Sequence, residues 1–211
     1  MIALIDYGVG NLRSVEKGLV AAGARVCRVT NPGDIERADA VVVPGVGHFG
    51  ATATLGAEWR TQLRAFAAEG RPLLGICLGM QWFYEGSDEA PGLEGLGLFP
   101  GRCARLAAPR VPHVGWNSLD PCRTSALLDG IPPGAQVYFT HSFAAPVTDA
   151  CIASTDYGAP FASLSARGNV AGAQFHPEKS GAIGLRFLRN FIATISRGPD
   201  SGTTLEGRTT A

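Results

Sequence analysis

Along the first half of the chain, apolar positions alternate between two rhythms. Short apolar runs at Ile2–Ile5, Arg25–Val29, Ala40–Val43 and Leu73–Ile76 are bounded by Gly, Pro and Asp, the pattern of strands covered on both faces. Between them, apolar residues recur at helical spacing. Leu12, Val15, Leu19 and Val20 follow a candidate N-cap at Asn11, and Leu55, Trp59, Leu63 and Phe66 lead up to Gly70. Strand and helix alternating at this pitch predict right-handed crossovers and a parallel sheet. After Tyr84 the rhythm breaks. Residues 85–100 are acidic, rich in glycine and interrupted by Pro91, which predicts a surface loop. From Gly101 to Gln174, strand candidates at Ala104–Leu106, Gln136–Phe139, Cys151–Ser154, Phe161–Ala166 and Val170–Gln174 predict an antiparallel or mixed region. Leu185, Leu188, Phe191, Ile192 and Ile195 mark a last helix, and residues 197–211 carry no apolar stripe and are expected to be disordered.

The sequence thus predicts one α/β domain over residues 1–196. Its fold class is a flavodoxin-like three-layer sandwich with a mostly parallel central sheet and an additional antiparallel or mixed strand region. With 211 residues the chain is long enough for a large core. Basic and acidic residues balance at 18 each, so neither nucleic acid nor an anionic membrane surface is an expected partner. The first six residues lack the basic start of a signal peptide and are interrupted by Asp6. No apolar run approaches the roughly 18 residues of a membrane span. The five cysteines are odd in number, scattered and without a CxxC pair, which points to a reducing, cytoplasmic setting. No metal or cofactor is expected. His48 follows the glycine turn, on the pocket side, but no carboxylate pairs with it at ligand spacing; His113 and His141 lie at strand edges and are assigned structural roles.

Two stretches carry candidate chemistry. In Leu73–Gln81 an apolar run meets Gly75-Ile76-Cys77-Leu78-Gly79 and then a helical pattern from Met80. That is the strand–turn–helix setting of a nucleophile elbow, with sulfur replacing a serine hydroxyl. Gly75 and Gly79 let strand and helix approach, Cys77 projects above the sheet, and a helix start beneath it favours the thiolate. Taken alone, Cys77 reads equally well as a small core residue. The second stretch is Gln174-Phe175-His176-Pro177-Glu178-Lys179. Pro177 biases His176 towards extended backbone, so His176 and Glu178 share a side and the carboxylate can orient the ring. Taken alone, that stretch is an ordinary surface turn. Together the two supply nucleophile, base and orienter. The glycine turn after the first strand does not make a dinucleotide site, because Arg13 occupies the place of the third glycine.

The same stretches, Gly75–Gln81 and Gln174–Glu178, resemble the class I glutamine amidotransferase family. Asp6–Ser14, Pro44–Gly47, Pro112–Asn117 and His176–Ser180 resemble the branch of that family that passes ammonia to a (β/α)₈-barrel cyclase in histidine biosynthesis. Phe143 departs from the tyrosine usual after His-Ser, and His48 from a commoner small residue. The resemblance implies that L-glutamine is hydrolysed through a thioester on Cys77, with His176 as base and Glu178 holding it. It implies Leu78 as one oxyanion donor and an amide from Gly45, Val46 and Gly47 as the second. Gln81 and Glu89 would hold the glutamine head group, with the backbone of Ser142 and Phe143 closing the pocket. Asn11, Trp116, Tyr138 and Lys179 would face the cyclase in a heterodimer. Gly45 permits a peptide rotation, and the Gly45–Val46 amide is expected to face away from the pocket until the cyclase is loaded. The rival readings are a glutaminase serving another synthase, such as that for pyridoxal phosphate, a cysteine peptidase or γ-glutamyl hydrolase, and a non-catalytic interaction subunit. Trp116 and Asp6–Ser14 weigh against the first.

Overall fold

The computed structural model describes residues 1–197. The first half follows the expected alternation: β1 (Ile2–Ile5), α1 (Leu12–Ala21), β2 (Val26–Val29), β3 (Ala40–Val43), α2 (Ala57–Ala68), β4 (Leu73–Ile76) and α3 (Leu78–Phe83). There follow β5 (Gly86–Ser87), β6 (Arg102–Arg105), β7 (His113–Pro121), β8 (Ala135–His141), β9 (Phe143–Ala144), β10 (Cys151–Asp156), β11 (Pro160–Arg167), β12 (Val170–Ala173) and α4 (Gly181–Arg197). Apart from Arg197, at the end of α4, the expected tail lies outside the described residues.

Nine strands form one sheet in the order β2-β1-β3-β4-β12-β11-β10-β7-β8. The pairs from β2 through β12 are parallel, and those from β12 to β8 antiparallel. Period-two geometry sorts the apolar runs between two cores. Ile2, Leu4, Ala40, Val42, Leu74 and Ile76 pack with Val15, Leu19 and Leu188 beneath α1 and α4. Ala3, Ile5, Val41, Val43 and Leu73 pack with Trp59, Leu63 and Phe66 of α2. Helices on both faces make the three layers. Among the described residues, no helix is long and apolar enough to cross a membrane.

The second half holds the expected antiparallel and mixed strands and differs from the expectation in two ways. Most of the mixed region joins the main sheet, because β12 pairs in parallel with β4, Ala173 opposite Ile76, while β6, near the expected strand Ala104–Leu106, pairs with β5 and β9 in a separate three-stranded sheet. β7 was not expected at all, yet it pairs with β8 from His113↔His141 to Leu119↔Ala135. Much of it faces solvent, with Val114 and Trp116 exposed and only His113 and Leu119 buried, so it lacks the apolar run that marks a covered strand. Residues 85–100 are not a free surface loop either. Ser87, Leu96 and Phe99 are buried, and Arg60 and Arg64 of α2 bind the carbonyls of Glu94, Gly95 and Leu96. Leu55 also falls outside α2, closing the 3₁₀ turn Phe49–Thr54.

The adjacency of β3, β4 and β12 positions the site. All three run the same way, so their carboxyl ends deliver Pro44–Gly47, Cys77 and Gln174–Glu178 to one edge of the sheet, where open α/β sheets bind ligands. Cys77 N–H donates to Ala173 O at 2.7 Å, which fixes the two outgoing segments side by side.

Candidate active site

Cys77 occupies φ 52°, ψ −108°, and is the one non-glycine residue with positive φ among those described. Such backbone costs about 1–3 kcal/mol and persists only where the surroundings enforce it. Here the enforcement is close approach. A Cβ on Gly79 would stand 1.9 Å from the Val43 carbonyl oxygen, and one on Gly75 would stand 2.6 Å from Met80 N. Helix α3 starts at Leu78, directly after the elbow rather than at Met80, and runs for only six residues, all buried.

His176 lies in extended backbone ahead of the 3₁₀ turn Pro177–Lys179. Its Nδ1 is 2.8 Å from Glu178 Oε1, and both side chains are 2% exposed. Nε2 has no hydrogen-bond partner among the described residues. Burial pushes the imidazole pKa down, but the neighbouring Cys77 sulfur and the Glu178 carboxylate outweigh it and raise the value to about 10. The ring thus holds the Glu178 carboxylate at Nδ1 and leaves Nε2 without a partner among the described residues. Three hydrogen bonds fix its backbone: His176 N–H to Tyr138 O (2.9 Å), Tyr138 N–H to Ser180 Oγ (2.9 Å) and Ser180 Oγ–H to His176 O (2.7 Å).

A cavity of about 270 Å³ opens over Cys77. Val46, Gly47, Leu78, Gln81, Glu89, Ser142 and Phe143 line it, so every expected oxyanion and glutamine-contact residue except Gly45 meets there. Glu89, in the segment expected to be a loop, is held by Phe49 N–H donating to its Oε2 at 2.7 Å. Gly45 lies just behind: its carbonyl oxygen takes the Leu78 N–H at 3.4 Å. The first expected oxyanion donor is thus occupied by the peptide expected to supply the second.

The family profile described as glutamine amidotransferase class-I matches residues 3–195. The chain belongs to this family. It is 47% identical to the "Imidazole glycerol phosphate synthase subunit HisH" of Deinococcus radiodurans over 209 residues, covering 90% of this chain and 92% of that one. It is 48% identical to the protein of that name from Halobacterium salinarum over 201 residues, with 90% and 92% covered. Among solved structures, "Crystal structure of glutamine amidotransferase" is similar with a TM-score of 0.74 at 19% identity, covering 93% of this chain and all of that one. "Structure of PurLQS from Thermotoga maritima" is similar with a TM-score of 0.75 at 16% identity, with 92% and 98% covered. At those identities the structures speak to the fold, which is that of this amidotransferase domain.

The amidotransferase site also holds residues that the sequence did not single out. His141 lines the cavity, and its Nδ1–H donates to Phe143 O at 3.0 Å. Burial lowers its pKa to about 3, so it is neutral with a free Nε2 lone pair. Tyr7 places a buried, unpartnered hydroxyl against Gly45, and burial followed by the Cys77 charge pushes its pKa up. Gln174, fully buried, donates through Nε2 to Cys77 Sγ at 3.6 Å. The one signal for it was its place two residues before His176.

Three of the four expected partner residues form one patch. Trp116 is 56% exposed and meets the Tyr138 ring edge-on at 6.0 Å, and Lys179 Nζ lies 5.5 Å from that ring's centroid. Exposed Val114 shares the Trp116 face of β7. Asn11 is exposed and caps α1, its side chain accepting the Ser14 N–H at 3.4 Å.

Proposed function

We propose that this chain is the glutaminase subunit of an imidazole glycerol phosphate synthase in histidine biosynthesis. It hydrolyses L-glutamine and passes the ammonia to a cyclase subunit. The relatives bearing that name match at nearly half identity across about nine-tenths of both chains. The observation that carries the chemistry is that the adjacent parallel strands β4 and β12 lead into Cys77, which lines the cavity, and, three residues past β12, into the buried His176–Glu178 pair. The functional unit is residues 1–196, and its setting is the cytoplasm.

In this reading Cys77 attacks the glutamine carboxamide carbon, forming an S–C bond and a tetrahedral oxyanion. His176 takes the thiol proton and gives it to the leaving ammonia, while Glu178 holds the ring. Leu78 N–H is one oxyanion donor. Rotation of the Gly45–Val46 peptide withdraws the carbonyl from Leu78 and offers an amide as the second. Water then adds to the thioester, releases glutamate and returns the thiol. Gln81, Glu89 and the backbone at Ser142 and Phe143 hold the amino-acid end.

Ammonia freed into bulk water would be protonated and lose its nucleophilicity, so the product needs a sheltered route. The Trp116–Tyr138–Lys179 patch, joined with Asn11, is the surface assigned to the partner, a cyclase with a (β/α)₈ barrel. Aromatic anchors of this kind are typical of interface centres. There the ammonia completes imidazole glycerol phosphate and aminoimidazole carboxamide ribotide. The test is glutamine-dependent product formation with and without the cyclase. Cys77→Ala loses glutamine use and retains synthesis from added ammonium salt. Loss of both, or of neither, would reject the reading.

A further inference from the structure

We propose that Gln174 is a further catalytic residue: its side-chain amide donates to the Cys77 sulfur and stabilises the thiolate formed when His176 takes the thiol proton, in an orientation imposed by a relay of amides starting at the Phe143 carbonyl. The proposal deepens the glutaminase reading and takes from it only that Cys77 is the nucleophile.

The relay has one possible polarity. The Phe143 carbonyl can only accept, and Gln81 Nε2 meets it at 2.7 Å. That contact fixes the Gln81 amide with nitrogen inward. The same Nε2 meets the Gln174 side chain at 3.0 Å, so the Gln174 atom there must be its oxygen. Gln174 Nε2 is then turned to Cys77 Sγ, at 3.6 Å. Rotating the Gln174 amide would set nitrogen against nitrogen at one end and oxygen against sulfur at the other. The first contact would be repulsive in a fully buried position, and the second would leave the sulfur facing only acceptors.

The sulfur requires such a donor. It is 4% exposed, and a buried anion is costly unless donors face it. Thr140 O, 4.0 Å from Sγ, accepts from a thiol and offers a thiolate nothing. His176 Nε2 has no partner among the described residues, and the proton it takes from the sulfur is sent on to the leaving ammonia. Gln174 cannot give up its donor, so it favours the thiolate before attack and again as the thioester is cleaved. The relay also joins sulfur to substrate. Fixing Gln81 Nε2 inward leaves Oε1 as the atom available to a ligand in the cavity that Gln81 lines. An ammonium group bound there would polarise the chain of amides towards the sulfur.

The experiment uses the full chain with iodoacetamide as probe, following carbamidomethylation of the Cys77 peptide by mass spectrometry as a function of pH. In that reaction the thiolate forms an S–C bond and iodide leaves. Gln174→Met keeps the length and removes the donor. Its alkylation profile should move to higher pH by about one unit, a tenfold loss of rate near neutrality. Gln174→Glu replaces donor with acceptor and should move it further. Glutaminase kcat of the variants, measured with the cyclase, should fall more than KM rises. A purely structural glutamine would lower the melting temperature and leave the profile in place. That result in the Met variant, or in the Glu variant should Met not fold, overturns the proposal. Because alkylation needs no substrate, a shifted profile in a chain with no glutaminase activity would reject the function above and leave Gln174 standing.

Discussion

The carbonyl oxygen of Gly45 points at the backbone nitrogen of Leu78, 3.4 Å away. The hydrogen bond is long and therefore weak, yet it fills the position an oxyanion would take. In the proposed mechanism the hole is therefore closed here, while His176 and Glu178 are already paired. One missing oxyanion donor typically costs about 10²–10³ in rate. The isolated chain should therefore hydrolyse glutamine at least about a hundredfold more slowly than the complex with cyclase bound to its own substrate. Equal rates in a direct comparison would mean that the closed peptide has no bearing on turnover. Gly45→Ala should remove the activation, since its Cβ would stand 2.4 Å from Tyr7 Oη and 2.8 Å from Leu78 Cβ, and Leu78 Cβ cannot swing aside.

The elbow stores strain that a pair of variants can isolate. Cys77→Ala and Cys77→Gly both remove the sulfur, but only alanine keeps a Cβ at φ 52°. Left-handed backbone disfavours a Cβ by about 1–2 kcal/mol. The glycine variant should be more stable than the alanine variant by about 1 kcal/mol, read as urea midpoints at equal m-value. An alanine variant as stable as the glycine one would mean that the backbone relaxes once the sulfur is gone.

The turn at Cys77 and the pairing of His176 with Glu178 were legible because each is enforced locally: glycines pinch the elbow, and Pro177 extends His176. In the parallel half of the sheet β1, β3 and β4 were legible as covered runs, whereas β2, at the edge, exposes Cys27 and Arg28. β7 was not legible, since a strand with Val114 and Trp116 in solvent shows no buried run. Residues 85–100 misread for a related reason. Their polar composition hides two anchors, Leu96 and Phe99, and the arginines that bind their carbonyls come from a distant helix. At Gly45 glycine allows both peptide orientations, and the fold shows the carbonyl turned to Leu78 N–H. Gln174 was beyond sequence because the polarity of its amide depends on Phe143 and Gln81, which only the fold brings near.

Two buried histidines set opposite pH limits on stability. His176 has a folded pKa near 10 against an ordinary 6.5, so its contribution is fully present below about pH 6.5 and is lost as pH rises through 10. His141, lowered to about 3, contributes above pH 6.5 and loses that contribution as pH falls towards 3. Urea midpoints should fall on both sides of neutrality. Glu178→Gln should flatten the alkaline side and His141→Gln the acid side. Parallel profiles for wild type and both variants would assign the pH dependence to other groups.

Glu89 is tied through one oxygen to the Phe49 N–H at 2.7 Å, which leaves the other for the cationic end of a substrate. Glu89→Gln keeps the size and removes the charge. Charge-assisted hydrogen bonds are about twice as strong as neutral ones, so KM for glutamine should rise about tenfold with kcat nearly unchanged. A fall in kcat alone would place Glu89 in the chemistry rather than in binding.

Ser180 joins the catalytic base to the proposed partner surface. Its hydroxyl receives the Tyr138 N–H and donates to the His176 carbonyl, while His176 N–H returns to Tyr138 O. The Tyr138 ring stands at the centre of the exposed patch with Trp116 and Lys179. Pressure on that patch therefore reaches the His176 backbone through two or three short bonds rather than through a long network. Ser180→Ala leaves a buried N–H and a buried C=O without this partner, at a cost of about 1–3 kcal/mol. Because the ring of bonds touches the base and not the substrate pocket, glutaminase kcat should fall about tenfold with KM steady. The stimulation by loaded cyclase should shrink with it. Steady-state kinetics on the free chain and on the complex give both numbers. Full stimulation in the alanine variant, with stability alone reduced, would confine Ser180 to holding the turn.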